Sequence, residues 1–229
     1  MRTFGHQALL AAAAGAMPTA DLLLHFEEGI AAVVDSGANG ITFTKSGDWT
    51  QNVTTAKWGT YGVNCSSGSG VSSSNARLAP GTGDFIYDFW LKQLNGFNII
   101  DRCILDTKYT GGGSGAGFQL YASHTSSSAD RRLTFKDNGG TLHKSSTQNV
   151  NDNTQYFVAV ARIAGTIYVQ LDSTVVLTFS DTTNFTNTVL CLNNEVGGSS
   201  TMNGGVDEFH YVKGWAPASM PMTVPTGAY

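Results

Sequence analysis

Three runs of alternating side chains, Tyr156–Ile163, Thr166–Leu171 and Thr174–Phe179, follow one another with two residues between each, Ala164-Gly165 and then Asp172-Ser173. Links this short join antiparallel strands, because a parallel pair needs a crossover of a dozen or more residues. The centre of the chain is therefore an antiparallel meander, and a parallel α/β fold is excluded. Period-two runs recur from Asp21 to Lys213, while helical periodicity is nearly absent beyond an Ala-rich N-terminal stretch. The other candidate strands are Asp21–Glu27, Ile41–Lys45, Tyr61–Cys65, Asp84–Lys92, Ile99–Leu105, Gly117–Ala122, Arg132–Lys136, Val189–Leu192 and Val206–Val212. Successive strand residues point to opposite sides. In Asp84–Lys92, then, Phe85, Tyr87, Phe89 and Leu91 face a core, and Ile86, Asp88, Trp90 and Lys92 face a mixed surface.

Composition agrees with an all-β chain. Gly, Ser, Thr and Asn make up more than a third of the 229 residues and only 13% are charged, so turn formers stand where a helical protein carries Lys and Glu. A formal net charge of −4 gives no field for a nucleic-acid backbone or an anionic membrane. No apolar run reaches the ~20 residues of a membrane helix. Cys65, Cys103 and Cys191, an odd set without a CxxC pair, read as reduced core thiols. Thr110–Gly117 and Glu195–Gly205 are Gly- and Ser-rich loops, and no linker divides the chain into two domains. Gly214–Tyr229 carries Pro217, Pro221 and Pro225, so it runs extended and outside the ladders. Residues 1–20, with Leu9, Leu10 and Met17 as apolar anchors, read as an assembly arm. The same stretch has the outline of a short signal-peptide core, with Ala14-Gly15-Ala16 as a cleavage site.

The order of motifs resembles the laminin-G-like, concanavalin-A-like jelly-roll domains of tailed-bacteriophage virion proteins. Leu22-Leu23-Leu24-His25-Phe26-Glu27 followed by Asp35-Ser36-Gly37 is similar to that family's first strand and acidic turn. Lys57-Trp58-Gly59 is similar to its lysine-aromatic-glycine step. Gly83–Leu91 resembles its most recognisable strand, with Asp88 where glutamate is commoner. Tyr156–Arg162 with Thr166–Leu171 resembles its central hairpin, and Val206–Gly214 its closing strand. The resemblance covers nearly all of residues 21–229. It implies a jelly-roll sandwich over 21–213 between an N-terminal arm, 1–20, and an extended tail, 214–229. It also implies a structural role on the surface of a virion, as a capsid decoration or tail-associated subunit in a homo-oligomer or lattice with other virion proteins. The arms would be buried against neighbouring subunits. The alternative is an adhesin that binds host-surface glycans.

Catalytic signatures are absent from the sequence. A glycosidase needs two carboxylates about 5–9.5 Å apart, and no E-x-D-x-E run is present. Asp84 and Asp88 share a face but read as structural, and Asp207 and Glu208, being adjacent, are expected on opposite faces. Acids meeting across strands stay open. His6, His25, His124, His143 and His210 show no zinc or hydrolase spacing. The chain is read as non-enzymatic. The resemblance implies one structural calcium ion as a candidate cofactor, since Glu27, Asp35, Asn39 and Asp207 could supply its oxygens if the first and last strands are neighbours. Turn and capping hydrogen bonds are the other use of Asp35 and Asn39. Trp49, Tyr109, Tyr121 and Trp215 lie in or beside loops. Stacking on sugar, core packing and protein contact are all open to them.

Overall fold

The computed structural model describes residues 17–27, 33–47, 49–65, 69–94, 102–108, 115–122, 131–195 and 202–229. Leu9, Leu10 and Tyr109 lie outside the described residues. The strands in chain order are β1 (Leu22–Leu24), β2 (Thr44–Ser46), β3 (Thr50–Asn52), β4 (Gly62–Asn64), β5 (Gly70–Ser74), β6 (Phe85–Gln93), β7 (Cys103–Asp106), β8 (Gln119–Tyr121), β9 (Arg132–Lys136), β10 (Leu142–Asn149), β11 (Gln155–Ile163), β12 (Thr166–Leu171), β13 (Thr174–Ser180), β14 (Val189–Leu192) and β15 (Gly204–Lys213). One 3-10 turn, Ala76–Leu78, precedes β6. A six-stranded sheet has the order β1-β15-β6-β11-β12-β13, a seven-stranded sheet the order β10-β9-β8-β7-β14-β5-β2, and β3 and β4 form a separate hairpin. Every pairing is antiparallel. The chain is an antiparallel jelly-roll sandwich.

The meander β11-β12-β13 forms as its short links require. Ala164 (φ 48°) and Gly165 (φ 78°) both take left-handed backbone, the signature of a turn whose twist matches the flanking strands. Phe85, Tyr87, Phe89 and Leu91 all enter the core between the sheets, where they meet Val158, Val160, Phe209 and Tyr211 from their own sheet and Leu120, Phe135 and Leu192 from the other. The ring pairs Tyr87–Tyr211, with centroids 4.3 Å apart, and Phe118–Phe135, at 4.8 Å, fill its middle. Burial of each such side chain contributes about 1.5–3 kcal/mol. One cation shares this interior. Arg162 is buried, and its guanidinium donates to the carbonyls of Gly81, Gly83 and Thr183 at 2.6–2.9 Å while lying 5.0 Å from the ring centre of Phe185. It thereby pins two loops to β11.

Three strands have no counterpart in the sequence reading: β3 (TQN), β5 (GVSSS) and β10 (LHKSSTQN). Their residues are mostly polar or glycine, and neighbouring backbones rather than their own apolar pattern place them in ladders. β1 is shorter than Asp21–Glu27, because Phe26 turns into left-handed backbone at φ 62°. β2 starts at Thr44 and not Ile41, although Ile41 and Phe43 are both buried.

Gly214–Tyr229 forms no strand, in line with its prolines. It does not project toward a neighbour, however, but folds back across the outer face of the six-stranded sheet. Trp215, Ala216, Met220, Met222 and Val224 pack on Ile86, Trp90, Phe157, Ala159, Ala161 and Val212. Gln170 on β12 fixes the tail with both ends of its amide, which donates to the Met222 carbonyl and accepts from the Met222 N–H, each at 2.8 Å. The C-terminal arm thus covers its own sheet.

Candidate functional site

Residues paired directly across an antiparallel ladder point to the same face, so register alone defines the outer surface of the seven-stranded sheet. One row crosses all seven strands: Leu142, Lys136, Gln119, Asp106, Cys191, Ser72 and Thr44. A second row, two residues along, holds Lys144, Thr134, Tyr121 and Cys103. Along the first row burial changes systematically. Leu142 and Thr44 at the ends are exposed, Lys136 and Ser72 are intermediate, and Gln119, Asp106 and Cys191 at the centre are buried. With strands about 4.8 Å apart, this is a polar trough with exposed edges and a centre, over β8, β7 and β14, that is covered from solvent.

The floor is organised by hydrogen bonds. Tyr121 donates its hydroxyl to Glu195. Asp106 accepts the Lys108 N–H at 2.6 Å, and the Lys108 ammonium reaches the Asn138 carbonyl at 2.8 Å, tying the end of β7 to the turn after β9. Gln119 differs from its neighbours. It is only 1% exposed, yet neither Nε2 nor Oε1 has a hydrogen-bond partner. An amide buried in this state costs about 1–3 kcal/mol per unpaired atom, and native structures rarely tolerate it without a reason. What the amide offers is one donor and one acceptor side by side. Burial, with the hydrogen bond and charge of Glu195, pushes the Tyr121 phenol far up, so it stays a donor. Burial also lifts Cys191 to about 12 and Cys103 upward, which leaves both thiols protonated and non-nucleophilic.

The four residues considered for calcium are placed differently. Asp35 accepts the N–H groups of Leu23, Gly37 and Ile41 at 2.7–3.0 Å and so locks the turn after β1. Asn39 donates to the Asp21 carbonyl at 2.8 Å in the same turn. Glu27 accepts from the Thr60 and Tyr61 N–H groups, each at 2.9 Å, while Asp207 accepts from Lys57 at 2.6 Å and Trp58 at 3.2 Å. The three acids are engaged with backbone donors and Asn39 with a backbone carbonyl. Among the described residues no three His, Cys, Asp or Glu come together to hold a metal. Glu27 and Asp207 instead clamp the two ends of the 57–61 turn. Gly59 (φ 68°) leaves room there for the Glu27 carboxylate, which a Cβ would strike, and the Lys57 ammonium lies 3.9 Å above the Trp90 ring. The lysine-aromatic-glycine step is thus a clamped turn.

Asp207 and Glu208 do not face opposite ways. A β-bulge between Asp207 and His210, with Glu208 in left-handed backbone at φ 51°, turns both carboxylates to the outer side. There, two acids from different strands meet around the tail. The His210 Nδ1 pairs with Asp88 at 2.8 Å and the His25 Nδ1 with Glu208 at 3.0 Å.

Of the aromatic candidates, Trp49 belongs to the core at 7% exposure, with the Lys45 ammonium 4.7 Å from its ring, and is unavailable for stacking on sugar. Trp215 docks the tail. Tyr121 stands in the trough beside Gln119, and at 0% exposure its ring is as closed to sugar as that of Trp49. Met17 is exposed. Sequence reasoning missed Gln119 and Glu195. Gln119 lies in a run, Gly117–Ala122, that was identified as a strand, and its outward position follows from the alternation with Phe118 and Leu120. Its lack of partners is visible only in three dimensions.

No protein-family model matches this chain, and no curated protein matches it in sequence. Solved structures do. The chain is similar to the botulinum neurotoxin serotype C1 binding domain, with 16% identity and a TM-score of 0.61 over 86% of this chain and 50% of that one. It is similar to botulinum neurotoxin type C, whose cell entry depends on two ganglioside molecules, with 14% identity and a TM-score of 0.59 over 86% and 49%. It is also similar to domain 4 of an extracellular arabinanase from Geobacillus stearothermophilus in complex with arabinotriose, with 15% identity and a TM-score of 0.60 over 86% and 94%. The chain spans about half the length of the neurotoxin structures and nearly all of the arabinanase domain. At such identities the likeness is one of fold.

Proposed function

We propose that this chain is a non-enzymatic carbohydrate-binding sandwich that takes a short glycan in the trough of the seven-stranded sheet. The observation that carries this reading is the buried Gln119 amide with both polar atoms unpaired. A sugar with neighbouring hydroxyls is a ligand of matching chemistry, because each hydroxyl both donates and accepts. Asp106 and the half-buried Glu195 add carboxylate acceptors around it, and because Gln119, Asp106 and Tyr121 are at most 1% exposed, the face has to open for the sugar to reach the amide. Support comes from the arabinanase domain, nearly all of which this chain matches and which holds arabinotriose. The setting we propose is the surface of a tailed-phage particle, which rests on the motif resemblance. A virion partner for the C-terminal tail is less favoured, since that tail already packs on its own sheet. Glycan-array screening of the wild type, repeated with Gln119→Met, tests the reading. Hits that disappear in the variant are expected, while an array without hits, or hits indifferent to Gln119, would refute it.

A further inference from the structure

The acids and histidines beneath the tail form a second constellation, on the opposite side of the molecule from the trough. Asp88, Glu208 and His210 are at most 2% exposed. Tyr229 lies among them as a ligand would. Its ring stacks on the His210 imidazole, with centroids 4.7 Å apart and planes 19° from parallel. Its hydroxyl donates to Asp88, and its N–H donates to Glu208 at 3.1 Å.

Anchoring a tail does not require this arrangement. Trp215, Met220 and Met222 already hold it by apolar contact, and the buried Asp88–His210 pair, with a buried Glu208 on the half-buried His25, carries a desolvation cost that apolar side chains would avoid. Glu208 is aimed outward at the tail by a bulge and by left-handed backbone that a non-glycine residue adopts only under strain. Strained backbone concentrates at ligand sites.

We infer that Asp88, Glu208, His210 and His25 form a second sugar-binding site, which Tyr229 occupies in cis. The ligand is a pyranose ring that lies flat on His210, gives one hydroxyl to Asp88 and gives a second, about a tyrosine's length away, to Glu208. Binding there requires the tail to leave, so free sugar and Tyr229 compete. This site extends the glycan-binding reading but shares no residue with the trough.

Calorimetric titration of the full chain with a panel of methyl pyranosides tests it. Tyr229→Ala should bind at least one pyranoside tenfold or more tightly than the wild type, because the competing occupant is gone. Adding Asp88→Asn should abolish that binding, while adding Gln119→Met should leave it intact, which separates failure here from failure of the trough. Titration with p-cresol provides the contrary arm. If Tyr229→Ala takes p-cresol but no pyranoside, Tyr229 is a structural anchor and the inference falls. Should Tyr229→Ala fail to fold, Tyr229→Phe, which removes only the hydroxyl on Asp88, is expected to gain threefold or more in pyranoside affinity. An unchanged affinity would overturn the inference as well.

Discussion

Replacing Gln119 by methionine separates a binding residue from a structural one, because the two roles predict stability changes of opposite sign. Gln119 is 1% exposed and leaves both amide atoms unpaired. Each such atom costs about 1–3 kcal/mol. Methionine has a similar length and volume and no strong polar atom, so it removes both penalties without opening a cavity. Allowing for imperfect repacking on a polar floor, the net gain is about 1–3 kcal/mol. For a chain of this size that is a rise in Tm of roughly 2–4 °C per kcal/mol. Differential scanning calorimetry reads the gain, and titration with the best glycan from the array reads the accompanying loss of affinity, expected at tenfold or more. A residue kept at the expense of stability is what a binding role leaves behind. A fall in Tm would show that the amide is satisfied in solution, by an interior water for instance, and the reasoning from its unpaired atoms would fail.

Asp207 provides a pH test. Burial, opposed by its backbone hydrogen bonds, lifts it to about 7, above its unfolded value near 3.9. Between roughly pH 4 and 7 the folded chain therefore holds more protons than the unfolded one. The contribution of this group to stability should fall as pH rises through that window, by up to about 4 kcal/mol, and Asp207→Asn should flatten the slope in denaturant titrations. Arg162→Ala removes four hydrogen bonds to carbonyls and a large buried side chain. A loss of about 4 kcal/mol or more is expected by urea unfolding, and a loss below 1 kcal/mol would mean the two loops hold without it. Since Glu27, Asp35, Asn39 and Asp207 are engaged with backbone groups, chelator should leave Tm unchanged. A drop reversed by calcium would show that one of these acids has a second employment.

What the sequence made legible follows from where side-chain pattern decides structure. The alternation of Phe85 to Lys92 identified both faces of β6, and the two-residue links identified β11 to β13 with their turns. β5 and β10 escaped because Ser, Thr and Asn in a ladder look like the same residues in a loop, and the difference lies in the neighbours. Motif matching singled out Lys57-Trp58-Gly59, but its meaning depends on Glu27 and Asp207, residues 30 or more positions away that grip its backbone. Tyr121 was found as an aromatic beside a loop. Gln119 was not, because an amide in a strand carries no signal until its surroundings fail to pair with it. The bulge at Glu208 was equally hidden, and without it strict alternation sends Asp207 and Glu208 to opposite faces.

The pairing of β1 with β15 has a consequence for how the chain reaches this state. Leu22 lies opposite Tyr211, and the Lys213 N–H donates to Asp21 across 192 positions of sequence. The ribosome makes β1 before, and β15 after, every other strand of the sandwich, so the β1 ladder has to wait for β15 before it can close. Leu22 and Leu24, both fully buried at the end, have no partner strand until then. The meander β11-β12-β13, whose partners are immediate neighbours, is suited to form first, and β6 can join it through β11. Closure then belongs to the final stage, since long-range pairings incur their loop entropy before any contact repays it. The exposed leucines of the waiting segment are where a chaperone, or a second unfinished copy, would find its first hold.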